Sequence, residues 1–263
     1  MRNGSTRLLF TPAVGVLSLL AGCQANTGKG DELELGHAAV QRREYAEAQS
    51  HLDAYLKKNP NGPRSAEAYY LKGHALQDAR SDDMTEAQSR LQQARLAYIE
   101  ALKVGTTDRG LEGLIRASLA DVAFWQEDYK TAAEQGTTAY GQLEDANVRA
   151  MSLYRAGLSQ QRLGRFDDGD KTLAVVAKDH PGTAAAQRAK QRMGVRGFTV
   201  RIPFNNATAA NAAVAALTSQ GFAIAPPPAG QTSVDVGPFS DYAQASAARG
   251  RLNTQYPKAA VVP

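Results

Sequence analysis

The sequence predicts a mainly α-helical chain, in which a solenoid of antiparallel helix pairs is followed by a small α+β domain. Two observations lead to this prediction. Apolar residues recur at helical spacing from residue 31 to residue 193, and similar groups of residues return at intervals such as the 37 residues from Tyr129 to Phe166. From Phe198 onwards, short alternating strand patterns replace that periodicity and enclose two Ala-rich helical stretches.

Residues 1–22 are predicted to be a signal peptide. Arg2 and Arg7 precede the stretch Leu8–Ala21, which contains fourteen residues and no charge. A span of the bilayer takes about 20 residues, so this stretch has the length of a signal-peptide apolar region instead. The end of this stretch overlaps the sequence LAGC at 20–23, which holds the only cysteine of the chain. An ordinary secretory signal with a stray cysteine, or an uncleaved anchor, is the alternative.

This segment resembles the signal and lipobox of a bacterial lipoprotein. The resemblance implies that Cys23 receives diacylglycerol on its sulfur, becomes the N-terminus and is acylated again. Several acyl chains would make membrane attachment lasting, because a single chain binds only marginally. Gln24 stands where lipoproteins of the inner membrane usually have Asp, which favours the periplasmic side of the outer membrane. With its thiol lipidated, the chain would form no disulfide.

The residues at 23–30 are predicted to be a lipidated, polar tether. The predicted signal peptide holds two of the thirty basic residues and no acidic residue, so the net charge falls from +4 to about +2 in the mature chain. A nearly neutral surface without a Lys/Arg-rich run predicts no nucleic-acid partner.

The helical periodicity at 31–193 predicts consecutive pairs of helices. In each pair a small residue on the first helix lets the two helices approach, an aromatic residue begins the second helix, and a proline follows the second helix. These positions are held by Gly36, Gly73, Ala120 and Gly157, by Tyr45, Tyr129 and Phe166, and by Pro60 and Pro181. One pair cannot bury its apolar stripe alone, so the pairs are expected to stack. An insertion is predicted around Asp78–Arg90, and a capping helix at Ala184–Met193.

These positions resemble the tetratricopeptide repeat, over residues 31–193. The resemblance implies a concave surface that holds a peptide or a partner protein. The candidate residues of this partner groove are His37, Val40, Asp121, Phe124, Tyr154, Leu158 and Gln161. The alternative is that these side chains simply pack or face solvent, and Trp125 is itself predicted to be a packing residue.

Residues 196–263 are predicted to form a βαββαβ unit. Strands are expected at Phe198–Ile202, Phe222–Ile224, Ser233–Val236 and Lys258–Val262, with helices at Ala207–Ser219 and from Ser240 or Asp241 to about Thr254. The segment at 226–230 is predicted to be an extended linker, and Gly237, Pro238 and Phe239 are predicted to bend the chain.

Both helices of this unit are expected on one face of a four-stranded sheet. The alternation along the strands then directs one set of residues to the helices, namely Val200, Ile202, Phe222, Ile224, Val234 and Val236. The other set would lie on the open face, namely Thr199, Arg201, Ala223, Ser233 and Asp235.

This tail resembles a SPOR domain, a peptidoglycan-binding module of bacterial envelope proteins. The resemblance rests on VDVGPFSDYAQASAARGRL at 234–252 and, in weaker form, on FTVRIPF at 198–204. It implies binding of glycan strands without stem peptides through the open face of the sheet. The candidate glycan-binding residues are Thr199, Arg201, Ser233, Asp235 and Phe239.

The tail also departs from the SPOR pattern on that face. Arg201 stands in place of a Gln, Pro203 replaces a Gly-Ser pair, and the usual Tyr-Arg-x-Arg is Thr-Ser-Val-Asp at 232–235. The open face therefore loses an aromatic residue and two cations, while the core positions are kept. A structural module that lost its ligand or took a new one is the alternative to glycan binding.

No pattern in the sequence indicates an enzyme. His37, His51, His74 and His180 are scattered, and the chain contains no HExxH motif, Walker A loop or GxSxG elbow. The acidic pairs at 82–83 and 167–168 are predicted to be solvated turns between helices. No catalytic residue, metal site or cofactor is therefore expected.

The resemblances together imply a non-enzymatic lipoprotein of the cell envelope. Its tail would bind peptidoglycan, often at division sites in this family, and its repeats would bind an envelope protein. The alternative is a scaffold for outer-membrane assembly or for a wall enzyme, in which the tail no longer binds glycan. A wall hydrolase is a third possibility, although the catalytic domain of such lipoproteins is absent from the sequence.

Overall fold

The computed structural model describes residues 31–225 and 232–263. The predicted signal peptide, Cys23, the tether and the proline-rich linker at 226–230 lie outside these described residues. Within them the chain forms eleven helices and four short strands, and the strands all follow residue 197. The prediction of a mainly helical chain with a small C-terminal α+β domain is confirmed.

Nine helices precede the sheet in the described part of the chain. They are α1 Glu32–Arg42, α2 Tyr45–Lys58, α3 Ser65–Asp78, α4 Met84–Val104, α5 Arg109–Trp125, α6 Tyr129–Tyr140, α7 Ala146–Arg162, α8 Phe166–Asp179 and α9 Ala184–Arg192. The three aromatic residues that were predicted to begin second helices are the first residues of α2, α6 and α8. The predicted capping helix is α9, and the predicted insertion lies at the α3–α4 connection and the start of α4, which has 21 residues.

The described residues divide into two compact units. The first unit contains the residues up to Gln126 together with Gln135–Ser152, and the second contains Glu127–Glu134 together with Leu153–Pro263. The second unit therefore joins the sheet to α8, α9 and the adjoining parts of α6 and α7.

Small residues bring the helices of the first unit into close contact. A Cβ atom at Gly36 would lie 2.7 Å from Leu52 Cγ, and one at Gly73 would lie 2.5 Å from Cε1 of Tyr98. The Tyr98 ring is completely buried, and its hydroxyl donates to Gln77 Oε1 at 2.8 Å. The predicted role of the small residues is thus confirmed at both repeats, because larger side chains would occupy the same space.

The second unit repeats this arrangement at Gly157 of α7. A Cβ atom there would lie 2.9 Å from Cδ2 and Cγ of Leu173 on α8, and the Leu173 side chain is fully buried. The capping helix α9 packs against α8 and contributes Ala185 and Ala189 to buried positions. The predicted contact between the helices of one repeat is confirmed here as well.

The tail forms a sheet of four antiparallel strands. Its elements are β1 Phe198–Pro203, α10 Ala207–Ser219, β2 Ile224–Ala225, β3 Ser233–Phe239, α11 Tyr242–Leu252 and β4 Ala260–Val262, and the strand order is β2-β3-β1-β4. This is the βαββαβ arrangement that was predicted. β2 and β4 are shorter than expected, since pairing begins only at Ile224 and Ala260.

One prediction about the tail is wrong. Gly237, Pro238 and Phe239 do not bend the chain away from the sheet but belong to β3. The reason is that pairing with β1 continues to its first residue, with Phe239 opposite Phe198.

Both helices of the tail cover the same face of the sheet. Val200, Ile202, Val234 and Val236 are fully or almost fully buried in one core with residues of α10 and α11, including Ala210, Leu217, Ala248 and Leu252. Phe222 and Ile224 pack against this core while remaining partly exposed. Asn206 and Asp241 cap the two helices by accepting from the backbone N–H of Ala209 and Gln244, each at 2.8 Å.

Aromatic side chains join the tail to the helices of the second unit. The Tyr242 ring meets Tyr129 of α6 edge-on at 5.6 Å and Phe198 of β1 edge-on at 5.7 Å, between ring centroids. The Arg162 guanidinium lies 4.3 Å from the centroid of the Tyr242 ring. Gly164, at φ +77°, leaves space for the backbone oxygen of Ser240, which a Cβ atom there would approach to 2.9 Å.

Three of the four residues of the two acidic pairs lie at helix N-termini, which corrects the prediction that both pairs sit in loops between helices. Asp167 and Asp168 belong to the first turn of α8, and Asp83 is the N-cap of α4, where it accepts from the backbone N–H of Thr85 and Glu86. Only Asp82 remains in a loop. The positive end of the helix dipole stabilises a carboxylate at these positions.

None of the helices described at 31–225 or 232–263 combines the length and apolarity needed to cross a bilayer.

Candidate functional site

The face of the sheet opposite α10 and α11 is the candidate binding surface, and we call it the open face. Strand pairing places Arg201 of β1 between Asp235 of β3 and Ala260 of β4, and places Asp235 next to Ala225 of β2. Residues paired in this way share one face of a sheet. Asp235, Arg201 and Ala260 therefore lie side by side in one row, with the two charged residues on the two central strands.

Arg201 and Asp235 form a bidentate ion pair at the centre of this row. Arg201 Nε–H donates to Asp235 Oδ1 at 2.8 Å, and Nη2–H donates to Oδ2 at 2.7 Å. The side chains are 50% and 25% exposed, so the pair lies at the surface. The hydrogen bonds to Asp235 raise the pKa of the Arg201 guanidinium. The pair is thus charged on both sides and neutral as a whole.

Two hydroxyl residues flank the ion pair along the strands. Thr199 lies opposite Val262 of β4, and Ser233 lies opposite Pro203 of β1. Both are half-buried. The structure therefore brings four of the five predicted glycan-binding residues, Thr199, Arg201, Ser233 and Asp235, onto one open surface.

Phe239 does not belong to this surface, which corrects its assignment as a glycan-binding candidate. Between the pairs Phe198–Phe239 and Val200–Val236, β1 has one intervening residue and β3 has two. This β-bulge shifts the alternation of β3 by one residue. Phe239 is consequently on the side of the buried Phe198, packs against the core and borders a cleft with Phe222 and Arg251.

Ala260 also contributes to this row, although it is not among the residues predicted from the sequence to lie there. The signal was present in β4, where Val261 packs against the core and its two neighbours must therefore face the other way. The fourth strand was predicted at Lys258–Val262, two residues longer than observed, and its residues were not assigned to the two faces of the sheet.

The predicted partner groove is largely packed inside the helices. Val40, Phe124, Tyr154 and Gln161 are at most 6% exposed, so they leave almost no surface for a partner. Gln161 Nε2 is also bonded within the second unit, because it donates to Asp170 Oδ1 and to the Arg192 carbonyl, each at 2.9 Å. These four assignments are corrected, since the apolar and amide groups serve helix packing instead.

Three groove candidates keep accessible surface. His37 and Asp121, in the first unit, and Leu158, in the second, are half-buried. Asp121 Oδ2 accepts from Gln77 Nε2 at 3.2 Å. Trp125 packs edge-on against Phe124, with ring centroids 6.0 Å apart, but 36% of it is exposed, so its predicted packing role accounts for only part of the side chain.

Among the residues that the structure describes, no three His, Cys, Asp or Glu side chains cluster in a way that could hold a metal ion.

The whole chain and its tail each show a similarity to known proteins. The crystal structure of MamA protein resembles this chain with a TM-score of 0.48 and 15% sequence identity, covering 88% of this chain and 96% of that one. No curated protein matches the sequence. Residues 194–263 match the SPOR domain family. The C-terminal part of this chain is therefore a SPOR domain, which supports peptidoglycan binding and association with the cell envelope.

Proposed function

We propose that this protein is a non-enzymatic lipoprotein that binds peptidoglycan glycan strands through the open face of its SPOR domain and a protein partner through its helical repeats. The observation that carries the proposal is the open face itself. Thr199, Arg201, Ser233 and Asp235 lie together there, and the helices cover only the opposite face.

The open face offers groups that match the hydroxyl and acetamido groups of sugars. The Arg201 guanidinium has five N–H donors, of which two are engaged with Asp235, and the Thr199 and Ser233 hydroxyls both donate and accept. Ala260 beside Arg201 adds little height to the row. A flat surface of this kind accommodates an unbranched strand, whereas stem peptides would hold the strand away from it.

Replacing Arg201 with alanine is expected to weaken retention on glycan strands that lack stem peptides by about threefold to tenfold. The change removes hydrogen-bond donors and leaves the Asp235 carboxylate without its ion pair, and a lost hydrogen bond of this kind costs on the order of 1 kcal/mol. The measurement is co-sedimentation of the whole chain with such strands and with intact sacculi.

The matched control for this experiment is Arg188→Ala. Arg188 is an exposed arginine of α9, so its loss changes the net charge equally without touching the open face. If both variants lost retention equally, binding would be electrostatic and not located on this face. If the wild-type chain were folded but retained on neither material, the glycan-binding proposal would fail.

The proposed anchor is tested by Cys23→Ser. Only a thiol forms the thioether with diacylglycerol, so the serine variant should carry no lipid, stay uncleaved by the lipoprotein signal peptidase and lose the membrane fractionation of the wild type. Mass spectrometry of the membrane and soluble fractions gives the result. Continued acylation of the variant would contradict the proposal, which places the lipid on the periplasmic side of the outer membrane.

The proposed protein partner would contact the first helices of the repeats. His37 and Asp121 retain accessible surface on α1 and α5. The Asp121 carboxylate favours a polar peptide segment as the ligand, whereas Nε2 of the His37 imidazole is buried. We propose that this partner is a protein of the cell envelope. We further propose that the two proteins act together at division sites.

A second candidate function is a scaffold for outer-membrane assembly or for a wall enzyme, with no glycan ligand. One observation favours it: Arg201, the one arginine among the described strand residues of the open face, already has a carboxylate partner in the chain. In the sedimentation experiment this candidate predicts a folded chain that remains in the supernatant with every glycan preparation.

A further inference from the structure

The charges of the open face are limited to one pair. The described strand residues on that face are Thr199, Arg201, Pro203, Ser233, Asp235, Ala260 and Val262, and only Arg201 and Asp235 among them ionise. Their opposite charges cancel at the centre of the surface.

The ion pair occupies the side-on edge of the guanidinium, which is one of the two edges on which arginine can bind a carboxylate. Asp235 takes Nε–H and one Nη2–H in parallel, which is the side-on bidentate geometry of arginine with carboxylates. The two N–H groups of Nη1 and the second N–H group of Nη2 remain for sugar hydroxyls. A second carboxylate that approached Arg201 would also come close to the Asp235 carboxylate, and like charges at such distances repel each other.

The pair is held in place by the sheet itself. Arg201 and Asp235 are direct cross-strand neighbours on β1 and β3, the two central strands. Asp235 is the less exposed partner, with 25% of its side chain accessible. A ligand carboxylate would therefore be repelled by an internal carboxylate that is already positioned, whereas a neutral hydroxyl would not be.

We propose that Asp235 is a specificity-determining residue that neutralises Arg201 and adapts the open face to uncharged sugar units. This inference rests on the proposed glycan binding. It matters for the ligand because hydrolysis of the amide bond to a stem peptide leaves a free lactyl carboxylate on the glycan. According to the proposal, this carboxylate contributes nothing to binding, and the strand is held by its neutral groups.

The test compares the wild-type whole chain with Asp235→Asn on two glycan preparations. One consists of stem-peptide-free strands with free lactyl carboxylates, and the other of the same strands with those carboxylates converted to neutral methylamides. The wild type should bind both equally, within about twofold, at about 50 mM and about 300 mM salt. Asp235→Asn should bind the carboxylate strands about threefold to tenfold more tightly at low salt, lose this gain at high salt, and show no such salt-dependent gain on the neutral strands.

Two further variants locate the effect. Asp168→Asn removes one negative charge from an exposed position in α8 and should not reproduce the gain. The double variant Arg201→Gln with Asp235→Asn should lose the gain, because the released guanidinium is absent.

The outcomes separate this inference from the proposed function. A wild type that prefers the carboxylate strands with a steep salt dependence, or an Asp235→Asn variant without any gain, would overturn the specificity role while leaving glycan binding intact. A wild type that binds neither preparation would overturn the proposed function itself.

Discussion

Replacing Val234 with aspartate is expected to unfold the SPOR domain. Val234 is completely buried in the middle of β3, opposite Ile202 of β1, in the core shared with α10 and α11. An unpaired carboxylate at such a position costs several kcal/mol, on the order of the whole stability of a small domain. Hydrogen exchange of the whole chain should show loss of protection in the strands at 198–203 and 233–239, while α1–α4 remain protected.

The destabilisation should depend on pH in a definite direction. Burial disfavours the charged form, so the pKa of the introduced carboxyl would be raised in the folded domain above its unfolded value of about 4. The variant should therefore be least destabilised below about pH 4 and lose stability as the pH rises towards 7. Ser233→Asp is the control, because the neighbouring residue faces the open side. Equal loss of protection in both variants would mean that Val234 does not face the core.

Leucine in place of Gly157 is expected to destabilise the second unit by about 1–3 kcal/mol. The Cβ atom alone would come within 2.9 Å of Leu173, so α7 and α8 would have to separate or Leu173 would have to leave its buried position. Thermal unfolding of the whole chain measures the effect.

The matched control is leucine in place of Gly250. This glycine also lies in a helix of the second unit, α11, but nothing lies within 4 Å of a Cβ atom there. Both substitutions gain the same helix propensity, about 1 kcal/mol, so the difference between them isolates the packing cost. If the two variants melted at the same temperature, the helix contact at Gly157 would be refuted.

Most helices and strands of this fold could be predicted from local sequence patterns. Tyr45, Tyr129 and Phe166 begin their helices as predicted, because each follows a polar turn and starts an apolar stripe of period 3.6. The helix at 207–219 was predicted with its observed bounds, since Asn206 caps its start. Strand ends were less predictable, because pairing of β2 and β4 depends on partners distant in the sequence.

The site was predictable only where simple alternation holds. Thr199, Arg201, Ser233 and Asp235 follow the period of two, whereas Phe239 lies beyond a bulge whose extra residue is visible only in the pairing of β3 with β1. The prediction of the groove residues was wrong for a different reason. Helical periodicity identifies the faces of a helix, but Val40 and Phe124 show that it does not tell which of two apolar faces a neighbouring helix covers.

The aromatic contacts of Tyr242 have a mechanical consequence for the proposed attachment to the cell wall. Tyr242 begins α11 and touches both Tyr129 of α6 and Phe198 of β1, while Arg162 of α7 lies against its ring. A pulling force on the sheet is therefore shared between this packed contact and the short connection at 193–197. Rupture would require breaking several side-chain contacts at once, so the sheet and the helices of the second unit bear tension as one body.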